Sequence, residues 1–114
     1  PFHCPLMQPA ADAMAEALAN VTVNKPVVPV VANVLAAPIS DPDEIRKRLV
    51  EQVTGTVRWR ECVAAMAADD VTEFYEIGAG KVLAGLVKRT AASASAVSLG
   101  APADIDAALA ALNA

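Results

Sequence analysis

Short strand-like runs alternate along this chain with stretches whose apolar residues recur every three or four positions. That alternation restricts the chain to a fold in which helices cross between strands of a parallel sheet. Strand-like runs span Val27 to Val34, Glu73 to Ile77 and Ala96 to Leu99. Leu6, Ala10, Ala13, Met14, Ala17 and Leu18 form one apolar stripe of a first helix, and Asn20 ends it. Asp41-Pro42-Asp43-Glu44 is a helix start, with Asp41 as cap and Pro42 at the first helical position. Ile45, Leu49 and Val53 continue that helix, and Gly55 closes it. Trp59, Val63, Met66 and Ala67 define a third helix. Gly78-Ala79-Gly80 leads into a fourth with Leu83, Leu86 and Val87, and Pro102 opens a last one with Ile105, Leu109 and Leu112.

The predicted order is helix, strand, helix, helix, strand, helix, strand, helix. Three strands are few for a parallel sheet, whose strands need cover on both faces and neighbours at their sides. Part of the sheet is therefore expected elsewhere. Pro29 inside the first run marks an edge, a bulge or a strand's first residue.

With 114 residues, 55% hydrophobic and 19% charged, the chain has material for a buried core. Aromatics are 4%, so Ala, Val, Leu and Ile must build that core. A net charge of −4 argues against a nucleic-acid partner, which needs clustered Lys and Arg. No apolar run is long enough to span a membrane, and no signal-peptide pattern is present. Cys4 and Cys62 read as two reduced thiols in a cytoplasmic protein. With His3 adjacent to Cys4 and no CxxC pair, the spacing is not that of a zinc site.

His3 is the only histidine, and histidine is the default proton carrier near neutral pH. A catalytic histidine needs partners on more than one side. If His3 is catalytic, its nucleophile is expected on polypeptide ahead of Pro1. Ser40, Ser93, Ser95 and Ser98 all lack the G-x-S-x-G context of an exposed nucleophilic serine. Gly78 and Gly80 before Lys81 admit two readings, a phosphate cradle or a tight strand-to-helix turn, and the turn is preferred. Arg46, Arg58 and Arg60 fall on wet helix faces and are poor candidates for binding a substrate carboxylate.

Four stretches read together carry a resemblance: Pro1-Phe2-His3-Cys4-Pro5-Leu6-Met7, Pro29 to Val34, Leu49 to Val53 followed by Val57-Arg58-Trp59, and Tyr75-Glu76-Ile77-Gly78-Ala79-Gly80-Lys81-Val82-Leu83. In this order and spacing they resemble the C-terminal part of the malonyl-CoA:acyl carrier protein transacylase family. The related acyltransferase domains of polyketide and fatty acid synthases share the pattern. Thr56 and Ala79 stand where the family often has proline. The resemblance implies that residues 1–114 belong to an α/β-hydrolase-like large subdomain with a parallel sheet and flanking helices. The ferredoxin-like subdomain and the nucleophile elbow would lie upstream.

The resemblance also implies the reaction: a malonyl group passes from malonyl-CoA to an upstream serine, then to the phosphopantetheine thiol of acyl carrier protein, in fatty acid biosynthesis. His3 matches the general base, and Gln52 matches the residue whose backbone carbonyl orients it. Phe2 would crowd an α-methyl branch and so favour malonyl over methylmalonyl. Asn33 is a candidate substrate contact or a turn cap. Lys88 and Arg89 are candidates for docking the acidic carrier protein, or they answer the dipole of their own helix. No cofactor or metal is implied. The expected partners are malonyl-CoA, acyl carrier protein and the N-terminal part of the same enzyme. Two other readings are an acyltransferase domain of a polyketide synthase and a noncatalytic α/β module that binds a carrier protein.

Overall fold

In the computed structural model, which describes all 114 residues, the chain divides into two units, Pro1–Cys62 and Val63–Ala114. The first unit opens with a 3-10 turn, Pro5–Met7, that runs into helix α1, Gln8–Ala19. Strands β1, Val30–Ala32, and β2, Ala37–Ile39, follow, then helix α2, Pro42–Thr54. Helix α3, Trp59–Ala68, carries the chain into the second unit. There the order is β3, Glu73–Ile77, α4, Val82–Thr90, β4, Ser95–Leu99, and α5, Pro102–Leu112.

The second unit is the βαβ arrangement that the alternation implies. β3 and β4 pair in parallel, Glu73 opposite Ser95 through Ile77 opposite Leu99, with α4 as the crossover. Ala84, Val87, Ala91 and Leu99 are buried there. α5 begins where Asp104 reaches back to accept from the N–H groups of Gly100 and Ala101, at 3.0 and 2.9 Å. Those donors would otherwise go unpaired at a helix start.

The first unit departs from expectation. The valine-rich run is not one long strand of a parallel sheet. Val27 is fully exposed and Val28 is 69% exposed. Only Val30–Ala32 is strand, and it pairs antiparallel with β2, Val30 opposite Ile39. A four-residue turn, 33–36, joins them, and Ala36 takes the left-handed φ of 55°. β2 leaves no mark in the sequence because its three residues, Ala-Pro-Ile, show no alternation and Pro38 lacks an N–H. A two-stranded ribbon tolerates that proline because both of its strands are edges. The parallel sheet of the chain is thus two-stranded, not three.

The α2 cap forms as its residues dictate: Asp41 accepts from the Glu44 N–H at 2.9 Å, with Pro42 in the first turn. The α1 stripe is a correction. Leu6 is 76% exposed and Met14 is 41% exposed, while off-stripe Ala11 is the buried residue of α1. A methyl side chain lets α1 approach α2 closely, and these two helices pack together.

Arg46 on α2 secures that packing. Its Nε donates to the Leu18 carbonyl at 3.0 Å and its Nη2 to the Val21 carbonyl at 3.1 Å, closing the end of α1. Asp43 holds Nη1 at 2.6 Å. The guanidinium is therefore not on an open wet face. Arg46→Ala is expected to destabilise the folded protein by about 1–2 kcal/mol in chemical denaturation of the full-length polypeptide. Arg46→Lys should recover little of this, because an ammonium cannot span two carbonyls as the planar fork does. Equal midpoints for wild type and Arg46→Ala would refute the role.

Candidate active site

The last turn of a helix leaves backbone carbonyls without intrahelical donors. In α2 one of these belongs to Gln52, and the structure brings His3 to it: Nδ1 lies 2.8 Å from the Gln52 carbonyl oxygen. A carbonyl can only accept, so the bond requires a proton on Nδ1, and in the neutral ring Nε2 is then the nitrogen with a free lone pair. His3 itself is exposed and sits at a left-handed φ of 55°. That region is uncommon outside glycine, and histidine is among the residues that enter it more readily. Phe2 beside it is 79% exposed.

The Gln52 side chain is also engaged. Nε2 donates to the Gly55 carbonyl at 2.9 Å, while Oε1 is buried without a partner. Gln52 and Asn33 line one cleft of about 150 Å³, walled by Val30, Val31, Ile45 and Leu49. The β1–β2 turn that carries Asn33 is fixed from Arg58, the residue just before α3. The Asn33 carbonyl accepts the Arg58 N–H at 2.9 Å, and Arg58 Nη1 donates to the Leu35 carbonyl at 2.9 Å. Glu61 holds the rest of that guanidinium, so Arg58 is committed within the fold. The side-chain oxygen of Asn33 faces the Cys62 thiol at 3.4 Å.

Cys62 is 1% exposed, and burial pushes its thiol above the usual cysteine range. A thiol held protonated is a poor nucleophile, so Cys62 packs rather than reacts. Cys4 and Cys62 are both free. No group of three or more His, Cys, Asp or Glu side chains is arranged to hold a metal ion. No helix is long and apolar enough to cross a membrane.

Lys88 and Arg89 lie in the second unit, exposed on the last turn of α4. At the other end of that helix stands Glu76, which sequence reasoning did not single out. Its carboxylate accepts from the N–H groups of Leu83 and Ala84, at 3.1 and 2.8 Å, and from the Ser98 hydroxyl at 3.2 Å. Those N–H groups are the ones a phosphate cradle would offer, and they are already taken. Gly78 and Gly80, at φ 132° and 103°, turn the chain so that Glu76 and the helix start meet. The available signal was a glutamate two residues before a G-x-G that opens a helix.

No protein-family model matches the chain. It is 47% identical over 109 residues to the malonyl CoA-acyl carrier protein transacylase of Escherichia coli (strain K12), a match that covers 96% of this chain and 35% of that protein. The crystal structure of acyl-carrier-protein-S-malonyltransferase from Bartonella henselae superposes with a TM-score of 0.92 at 48% identity, over 100% of this chain and 36% of that one. A structure of a type II PKS acyl-carrier protein in complex with its malonyl-transacylase superposes with a TM-score of 0.87 at 39% identity, over 97% of this chain and 36% of that one. The chain thus spans about a third of the length of the relatives it matches.

Proposed function

We propose, from homology to the malonyl CoA-acyl carrier protein transacylases along 96% of its length, that this chain supplies the general base of a malonyl-transfer site. The observation that carries the proposal is the 2.8 Å contact between His3 Nδ1 and the Gln52 carbonyl oxygen. A base aimed by a fixed acceptor is what acyl transfer through a serine requires.

In this reading the serine lies outside the 114 residues, in a G-x-S-x-G elbow of an α/β-hydrolase-like subdomain. His3 Nε2 takes the serine proton as the oxygen attacks the malonyl thioester carbon. The carbon–sulfur bond breaks, CoA leaves, and the imidazolium returns the proton to the departing thiolate. The second half reverses the roles. The phosphopantetheine thiol gives its proton to His3 and attacks the serine ester; the ester carbon–oxygen bond breaks, and the imidazolium returns the proton to the serine oxygen. No cofactor enters either half. Phe2 borders the malonyl α-carbon, and Asn33 contacts substrate from the cleft it shares with Gln52. The enzyme works in the cytoplasm. The names of the relatives favour a malonyl-CoA:carrier protein transacylase over a noncatalytic module. Fatty acid biosynthesis is the pathway of this reading.

Lys88 and Arg89 contribute to carrier-protein docking in the same reading. Carrier proteins are acidic, and opposite charge on two partners raises their encounter rate. The test is radiolabelled malonyl transfer from malonyl-CoA to holo carrier protein by the full-length polypeptide. Lys88→Glu with Arg89→Glu is expected to raise the KM for carrier protein several-fold at low salt and to leave the KM for malonyl-CoA unchanged. High salt should erase the difference. An unchanged carrier KM at low salt removes the docking role, and absence of transfer by wild type removes the function.

A further inference from the structure

We infer that the Gln52 carboxamide and the missing side chain of Gly55 are positioning elements, which keep the Gln52 carbonyl out of helix bonding so that His3 can use it. The inference rests on His3 being the base. In a continuing helix the carbonyl of Gln52 would accept from the N–H of Thr56. Here α2 stops at Thr54, and Gly55 is extended, with φ −96° and ψ 155°. The Gly55 N–H still reaches the Glu51 carbonyl at 2.9 Å. The helix ladder therefore breaks one bond before it would consume the Gln52 carbonyl.

Two features hold the break in place. Gln52 Nε2 donates to the Gly55 carbonyl at 2.9 Å, pinning residue 55 in its extended form. A Cβ on Gly55 would lie 2.8 Å from Val34 Cγ2 and 2.9 Å from the Glu51 carbonyl oxygen, so any side chain must displace the hairpin turn or the helix end. The Gly55 oxygen can only accept, so the amino end of the carboxamide must face it. Oε1 is then left buried with no donor. An unpaired buried oxygen is unfavourable, and stability alone would select an apolar side chain there. The glutamine instead spends that cost on fixing where its own backbone oxygen points.

The test uses the full-length polypeptide. Gln52→Met removes the donor at nearly constant volume, and Gly55→Ala adds the Cβ. Each is expected to lower kcat for malonyl transfer by about 10–100-fold, with the KM for malonyl-CoA little changed. Gln52→Met should change Tm little, since it removes the unpaired oxygen together with the donor to the Gly55 carbonyl. Nitrogen-15 NMR of His3, identified by its absence in His3→Ala, should show the Nδ1–H tautomer in wild type and a mixture in both variants. Thr54→Ala, beside the break, should keep the wild-type rate and tautomer. If Gly55→Ala does not fold, Gln52→Met decides. Wild-type kcat and an unmixed tautomer in Gln52→Met overturn the inference, and so does a kcat loss that tracks a fall in Tm. Unimpaired transfer by His3→Ala overturns the underlying base assignment instead.

Discussion

Replacing His3 by alanine in the full-length polypeptide is expected to lower kcat/KM for malonyl transfer by roughly 10²–10⁴-fold, the usual contribution of a positioned general base. Affinity for malonyl-CoA should hardly change, because the imidazole acts on the serine proton and not on the nucleotide. Both half-reactions should slow, since the same nitrogen serves the incoming alcohol and the incoming thiol. Pre-steady-state formation of the malonyl-enzyme separates the two. His3→Gln should not rescue, because a carboxamide cannot carry a proton between two partners. Wild-type kcat/KM in His3→Ala would remove His3 from the mechanism.

The neutral acceptor bears on the size of that effect. A carboxylate would stabilise the imidazolium more than the Gln52 carbonyl can. A thiolate leaving group needs less protonation than an amine, so the weaker partner suits thioester chemistry. The geometric need is unchanged: Nδ1 is tied at 2.8 Å, and the left-handed backbone at His3, φ 55°, sets the ring over the end of α2.

How much of this was legible in the sequence varied with the kind of signal. The start of α2 was written in four residues, because Asp41 and Pro42 act through their own local chemistry. The parallel pairing of β3 with β4 followed from alternation alone. The hairpin did not, because the turn that joins its strands is held by contacts from Arg58, about twenty residues further on. Gln52 was legible only through family resemblance: its backbone oxygen makes the bond to His3, and a main-chain role leaves no mark on residue type. Gly55 was readable as a helix end. Its tight fit against Val34 was not, because that depends on a turn packing against the helix. Arg46 misled for a similar reason: a charged residue on a helix looks solvated until the carbonyls of another helix end come within reach.

Glu76→Gln is expected to lower Tm by several degrees at about pH 7, and the deficit should depend on pH in a defined direction. The Ala84 N–H, the Leu83 N–H and the Ser98 hydroxyl all favour the charged carboxylate, and together they hold the Glu76 carboxyl below its ordinary value of 4.5, although partial burial opposes them. A carboxyl whose value is depressed in the folded state contributes its full stabilisation above the unfolded value. It loses that contribution as pH falls through the folded one. The Tm gap between wild type and Glu76→Gln should therefore be constant near neutrality and close as pH drops below 4.5. Glutamine keeps one acceptor oxygen but turns its amino group toward a backbone donor, so α4 loses its anchor at one N–H while Ser98 loses an anionic partner. Calorimetry across a pH series on the full-length polypeptide reads the gap directly. A gap that stays the same from neutral to acid pH would mean that the charge of Glu76 contributes nothing, and that its substitution acts through packing alone.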